Sequence, residues 1–158
     1  MAILKGSLDA SFQAIHKRSV EIISSTSDDE LYRSPRVTTD ISSLLTIGEN
    51  ILRSAAAVEQ TFGGITVKLW DDPFEWTLPE QLNTSKLVID YLNEVDLTRQ
   101  NGFKFISTDA ELHKSIPGPI RLISIIELLN TALVRAAYWQ GRASAVHQVL
   151  CGGRVHRP

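Results

Sequence analysis

A single cysteine, Cys151, stands in a chain of 158 residues, so no internal disulfide can form and one thiolate cannot build a structural zinc site. Excess charge of either sign is also missing. Sixteen Lys and Arg face 18 Asp and Glu, for a formal net charge of -2. Without a basic field, duplex nucleic acid and anionic membrane surfaces are not expected partners. Long apolar runs are absent as well. The stretch LISIIELL is interrupted by Ser124 and Glu127 and falls far short of a bilayer span. The start, MAILKGSLDASFQ, turns polar too soon for a secretory leader. A soluble, cytoplasmic protein is the expectation.

What is present is helical period. Leu8, Phe12, Ile15, Ile22 and Ile23 recur at steps of three and four, with Lys17, Arg18 and Glu21 on the other side. A second segment runs from about Ile41 to Phe62, with Thr38, Thr39 and Asp40 as cap chemistry and Gly63-Gly64 as its stop. A third spans about Thr84 to Ile106. The fourth begins after Pro119 and reaches Leu150. Four amphipathic segments of this length predict an all-α domain over residues 1–150, an antiparallel four-helix bundle, with residues 151–158 as a tail.

Between the second and third segments lies GGITVKLWDDPFEWTLPEQ, long for a bundle connection and rich in aromatics. Ile65, Val67 and Leu69 alternate, which predicts a short extended piece, and Thr77 with Glu80 predicts a capped helical turn. The segment is expected to cross the bundle and bury Trp70, Phe74 and Trp76. An internal repeat accompanies this long crossover. Ser27-Asp28-Asp29-Glu30-Leu31 matches Thr108-Asp109-Ala110-Glu111-Leu112, then Ile41-Ser42 matches Ile123-Ser124 and Arg53 matches Arg135. Each copy sets Ser or Thr three residues before Glu, predicting a capped turn ahead of a long helix. A pseudo-twofold relating the two halves follows.

No nucleophile elbow, phosphate-cradling glycine loop or dinucleotide fingerprint occurs. His16, His113, His147 and His156 form no pair at three- or four-residue spacing, and no Glu is followed three residues later by His. Cys151, beside Arg154 and His156, reads as a lone thiol in a frayed end.

Two passages nevertheless carry a family likeness: Ile47-Gly48-Glu49 through Ser54-Ala55-Ala56-Ala57-Val58-Glu59, and Glu127-Leu128-Leu129 through Arg135-Ala136-Ala137-Tyr138-Trp139-Gln140-Gly141-Arg142. With the order helix, capped turn, helix, aromatic crossover, helix, capped turn, helix, the chain resembles the DinB/YfiT-like superfamily of bacterial four-helix proteins over about residues 5 to 150. The resemblance implies a site where three histidines hold a divalent metal, one on the second helix and two spaced four apart on the fourth. It also implies thiol-transferase chemistry in some members. Here those positions fall on Ser54 (or Arg53, if the register shifts by one), Arg135 and Trp139. A guanidinium cannot ligate a metal, and an indole offers only a donor N–H. No metal or other cofactor is therefore expected at the family position, and transfer of the family's enzymatic activity is undermined.

Arg135, Trp139 and Arg142 share one helical face, with Arg53 across from them under the repeat. Guanidinium groups beside an indole suit a small carboxylate or phosphate ligand in a pocket between the second and fourth helices. The competing account has Glu49, Glu59 or Glu127 pairing the arginines while Trp139 fills the vacated volume. Two further accounts stand beside these: a metal-dependent thiol transferase or hydrolase with relocated ligands, and a structural homodimer formed through exposed aliphatic faces.

Overall fold

A computed structural model describes residues 2–35, 44–73 and 77–152. It is an all-α architecture with one small hairpin. The elements are α1 (Ile3–Ser24), α2 (Asp28–Leu31), α3 (Ile47–Val67), α4 (Ser85–Lys104), a 3-10 turn (Asp109–His113), β1 (Ser115–Pro117), β2 (Leu122–Ser124) and α5 (Ile125–Cys151). Among the described residues no helix is long and apolar enough to cross a membrane.

Each long helix starts where a side chain can satisfy an orphan amide. Thr46 accepts from the Glu49 N–H at 3.3 Å, and the Glu49 carboxylate accepts from the Thr46 N–H at 2.9 Å, a reciprocal capping box. Thr84 caps α4 through the Leu87 N–H, and Ser124 caps α5 through the Glu127 N–H. The two short helical turns reach further. Asp28 in α2 accepts from the Ser85 N–H at the start of α4 at 2.7 Å. Asp109 in the 3-10 turn accepts from the Leu4 and Lys5 N–H groups at the start of α1, at 3.1 and 2.9 Å. These amide bonds hold the Asp109 carboxyl below its ordinary pKa, because they favour the charged form.

α3 packs along both α5 and α4, and α1 packs along α4 and α5. The apolar stripes meet in one core. At its centre Phe12, Phe62 and Phe103 form a cluster with ring centroids 5.2 to 6.0 Å apart, drawn from α1, α3 and α4. Beside it Arg99 of α4, only 4% exposed, is held by Asp9 of α1 and by Asp96 at 2.8 Å. Burying that cation requires such partners.

Several boundaries differ from the sequence expectation. α3 begins at Ile47, because Thr46 and Glu49 close the capping box there; the expected caps Thr38, Thr39 and Asp40 lie outside the described residues. Gly63-Gly64 does not stop α3. The helix continues through Val67, which removes the expected extended piece at Ile65 and Val67, and Lys68 ends it in the left-handed region at φ 59°. Gly64 instead admits the Trp70 ring, since a Cβ there would lie 2.4 Å from it. The turn near Thr77 forms one residue later, with Gln81 and Leu82 N–H groups both bonded to the Leu78 carbonyl. Trp70 is half-buried, whereas Phe74 and Trp76 lie outside the described residues. The fourth helix does not start just after Pro119: residues 115–124 form an antiparallel hairpin with Ile116 opposite Ile123. Cys151 is no frayed thiol but the buried last residue of α5, and His156 lies outside the described residues.

Candidate arginine and tryptophan site

Where α3 and α5 run side by side, the sequence places an arginine on one and an arginine, indole, arginine row on the other. The Arg53 guanidinium carbon lies 5.2 Å from the Trp139 ring centroid. That of Arg142, one turn along α5, lies 5.3 Å from the same ring. Both distances are within cation–π range, where each contact contributes about 0.5–2 kcal/mol depending on exposure. Arg142 also lies 5.6 Å from the Tyr138 ring and donates to the Tyr138 hydroxyl at 2.8 Å. The two aromatic rings meet edge to face at 5.0 Å. The result is a layered stack of cation and ring, half-buried at Arg53, Trp139 and Arg142 and open at Arg135 and Tyr138.

Arg135 is exposed and makes one long hydrogen bond, 3.5 Å, to the Gln60 side-chain oxygen. Gln60 in turn donates to the Trp70 carbonyl at 2.8 Å, so the crossover is tied to the same edge of α3. Gln60 lies just past the passage ending at Glu59, and Tyr138 falls at none of the expected ligand positions. The signal for Tyr138 is its place four residues before Arg142, the spacing of helical neighbours.

Two of the six sequence candidates stand apart. Ser54 is 1% exposed, and its hydroxyl donates to the Ala136 carbonyl at 2.8 Å. It fastens α3 to α5 and borders a small, partly open pocket of about 20 Å³, room for roughly one water, shared with Phe12, His16, Ser19 and Asp96. Glu59 faces α4, where its carboxylate accepts from the Tyr91 hydroxyl at 2.5 Å. Burial raises the Glu59 carboxyl above its ordinary value, the Tyr91 bond offsets this in part, and Glu94 adds to the rise. Tyr91 is pushed up too, by burial and by the neighbouring carboxylate.

The glutamates offered as arginine partners have other engagements. Glu49 closes the α3 capping box, Glu59 holds Tyr91, and Glu127 pairs with Arg121 at 2.5 Å. The histidines are scattered: His16 borders the small pocket beside Ser54, His113 ends the 3-10 turn, and buried His147 meets the Ser25 hydroxyl at 3.0 Å. Among the described residues no group of three or more His, Cys, Asp and Glu is placed to hold a metal ion. What the site offers chemically is guanidinium N–H donors beside a flat apolar ring, an arrangement that recognises planar or tetrahedral oxyanions through paired hydrogen bonds. Compared with family models, with curated proteins and with solved structures, the chain matches none of them.

Proposed function

We propose that the chain is a four-helix bundle of the DinB/YfiT-like type, without a metal at the family's position, that binds a small anionic ligand at Arg135 and Arg142 beside Trp139. The observation that carries the binding reading is the stack itself. The Arg142 guanidinium lies 5.3 Å from the Trp139 ring centroid, and exposed Arg135 stands on the same flank of α5. Such a face favours carboxylates and phosphates over neutral or cationic ligands.

The bundle reading is supported by the mutual packing of α1, α3, α4 and α5. Reciprocal caps support the pseudo-twofold: Asp28 serves α4 as its repeat counterpart Asp109 serves α1. Ser54 and Ala136, joined by a hydrogen bond, are also counterparts, separated by the same 82 positions as Arg53 and Arg135. A ligand screen by thermal shift tests the binding reading. Small carboxylates or phosphates should raise Tm in the unaltered protein, and Arg135→Gln should abolish the rise. The competing metal-dependent transferase or hydrolase is decided by elemental analysis of untagged protein. Stoichiometric zinc or nickel retained after mild chelation would replace the anion reading.

A further inference from the structure

From Leu128 to Cys151 the helix α5 carries no acidic residue, and its only Lys or Arg side chains are Arg135 and Arg142. Among the described residues neither arginine enters an ion pair. The two differ in how firmly they are held. Arg142 donates to the Tyr138 hydroxyl at 2.8 Å, and its guanidinium carbon lies 5.6 and 5.3 Å from the Tyr138 and Trp139 ring centroids. Arg135 is exposed and reaches only Gln60, at 3.5 Å.

Their spacing limits what they can hold together. Arg142 follows Arg135 by seven residues, about 20° short of two full turns, so both leave one face about 10.5 Å apart along the axis. Trp139 stands between them at steps of four and three. Both side chains lean toward the start of α5. Arg142 reaches back over Trp139 and Tyr138. α3 runs antiparallel to α5, since Arg53 meets Trp139, Ser54 meets Ala136 and Gln60 meets Arg135, so Gln60 draws Arg135 the same way. The two guanidinium groups therefore stay about 10 Å apart. Charge-assisted hydrogen bonds span about 2.8 Å, so one small carboxylate or phosphate cannot be gripped by both.

We propose that the ligand of this face is a short linear dicarboxylate, with one carboxylate on Arg135, the other on Arg142, and an uncharged middle passing the half-buried Trp139. This ligand class rests on the anion-binding reading of the same face and adds the separation of the two charges. Each end of the row presents one guanidinium, a single positive charge that a carboxylate matches one for one. A phosphate monoester would bring nearly two negative charges to each end. The indole between the arginines suits a flat apolar middle. Arg142 is already held by Tyr138 and Trp139, so its contact needs little further ordering. Once one carboxylate is bound the second contact forms within the complex, which favours a linked pair of charges over either alone.

Calorimetric titration of the full chain with three four-carbon acids tests this, at mildly alkaline pH where both diacids are full dianions. Fumarate holds its carboxylates at opposite ends of a planar skeleton, and maleate holds both on one side. Crotonate has the fumarate skeleton with a single carboxylate. Fumarate should bind about tenfold or more tighter than either of the others. Arg142→Gln should lower fumarate to the affinity of crotonate and leave crotonate within about twofold of its own value. Fumarate and maleate binding equally, both above crotonate, would be a response to charge alone; it overturns the proposal and leaves the anion reading standing. Crotonate binding as tightly as fumarate has the same consequence, as does a fumarate preference indifferent to Arg142→Gln. No binding by any of the three acids also overturns the proposal, and silence of inorganic phosphate as well removes the anion reading with it.

Discussion

Replacing Gly102 by alanine tests how tightly the core is specified. The new methyl would sit 2.3 Å from one ring carbon of Phe62 and 3.1 and 3.2 Å from two others, where about 3.5–4.0 Å is normal. The ring has nowhere to go. Phe62 is fully buried, with Phe12 against it at 5.2 Å and 72° and Phe103 at 5.2 Å and 55°. Moving it by more than an ångström disturbs both contacts, and overpacking of this kind costs about 1–3 kcal/mol. Better helix propensity returns about 0.5–1 kcal/mol. Taking an overpacking cost near the top of its range, the net expectation is a loss of about 2 kcal/mol, which for a chain of this size lowers Tm by about 6 °C. Urea denaturation with a shared m-value is the assay. A double-mutant cycle with Phe62→Leu should show coupling of at least about 1 kcal/mol, because the smaller side chain vacates the contact. Gly141→Ala is the internal control: with open space around it, the same chemical change should stabilise the chain by about 0.5–1 kcal/mol. If both variants shift stability equally, the ring-on-glycine packing of α3 against α4 is wrong.

Glu59 offers a pH-dependent counterpart. Its native carboxyl is raised above the ordinary 4.5, so its contribution to stability is present below that value and lost as pH climbs through the native one. Glu59→Gln, which keeps an acceptor for Tyr91, should therefore raise Tm near neutral pH and lose that advantage on acidification to about pH 4. An advantage unchanged across the titration would contradict the burial account. Arg99→Met should destabilise by about 3 kcal/mol in chemical denaturation, because it leaves Asp96, whose side chain is 14% exposed, without its cation. Asp9→Asn should cost less than about 1 kcal/mol, since Asp9 is 43% exposed and Asp96 remains.

The helices were legible where periodicity and capping agreed. The span expected from about Thr84 to Ile106 meets α4 within one residue at its start and two at its end. Periodicity failed where a tertiary contact decided the matter. Ile41 and Leu44 extended the apolar period upstream, hiding the Thr46–Glu49 box that starts α3. Gly63-Gly64 reads as a terminator by composition, yet packing of Trp70 against Gly64 lets the helix continue. The hairpin at residues 115–124 escaped because three-residue strands carry too little alternation to register. At the site, helical spacing predicts Arg135, Trp139 and Arg142 on one face, and Arg53 of α3 meets the Trp139 ring from across. Burial was not visible in spacing. Ser54 and Glu59 belong to inward faces of α3 that touch Ala136 and Tyr91, contacts between residues 82 and 32 positions apart.

The central claim is that the arginine and indole face binds an anion, and calorimetric titration addresses it most directly. Inorganic phosphate and a panel of small carboxylates would be titrated into the unaltered protein, Arg135→Gln and Trp139→Ala. Saturable one-site binding to the unaltered chain, lost in Arg135→Gln and weakened at least tenfold in Trp139→Ala, is the predicted result. Absence of heat across the panel, or binding that survives both substitutions, would contradict it.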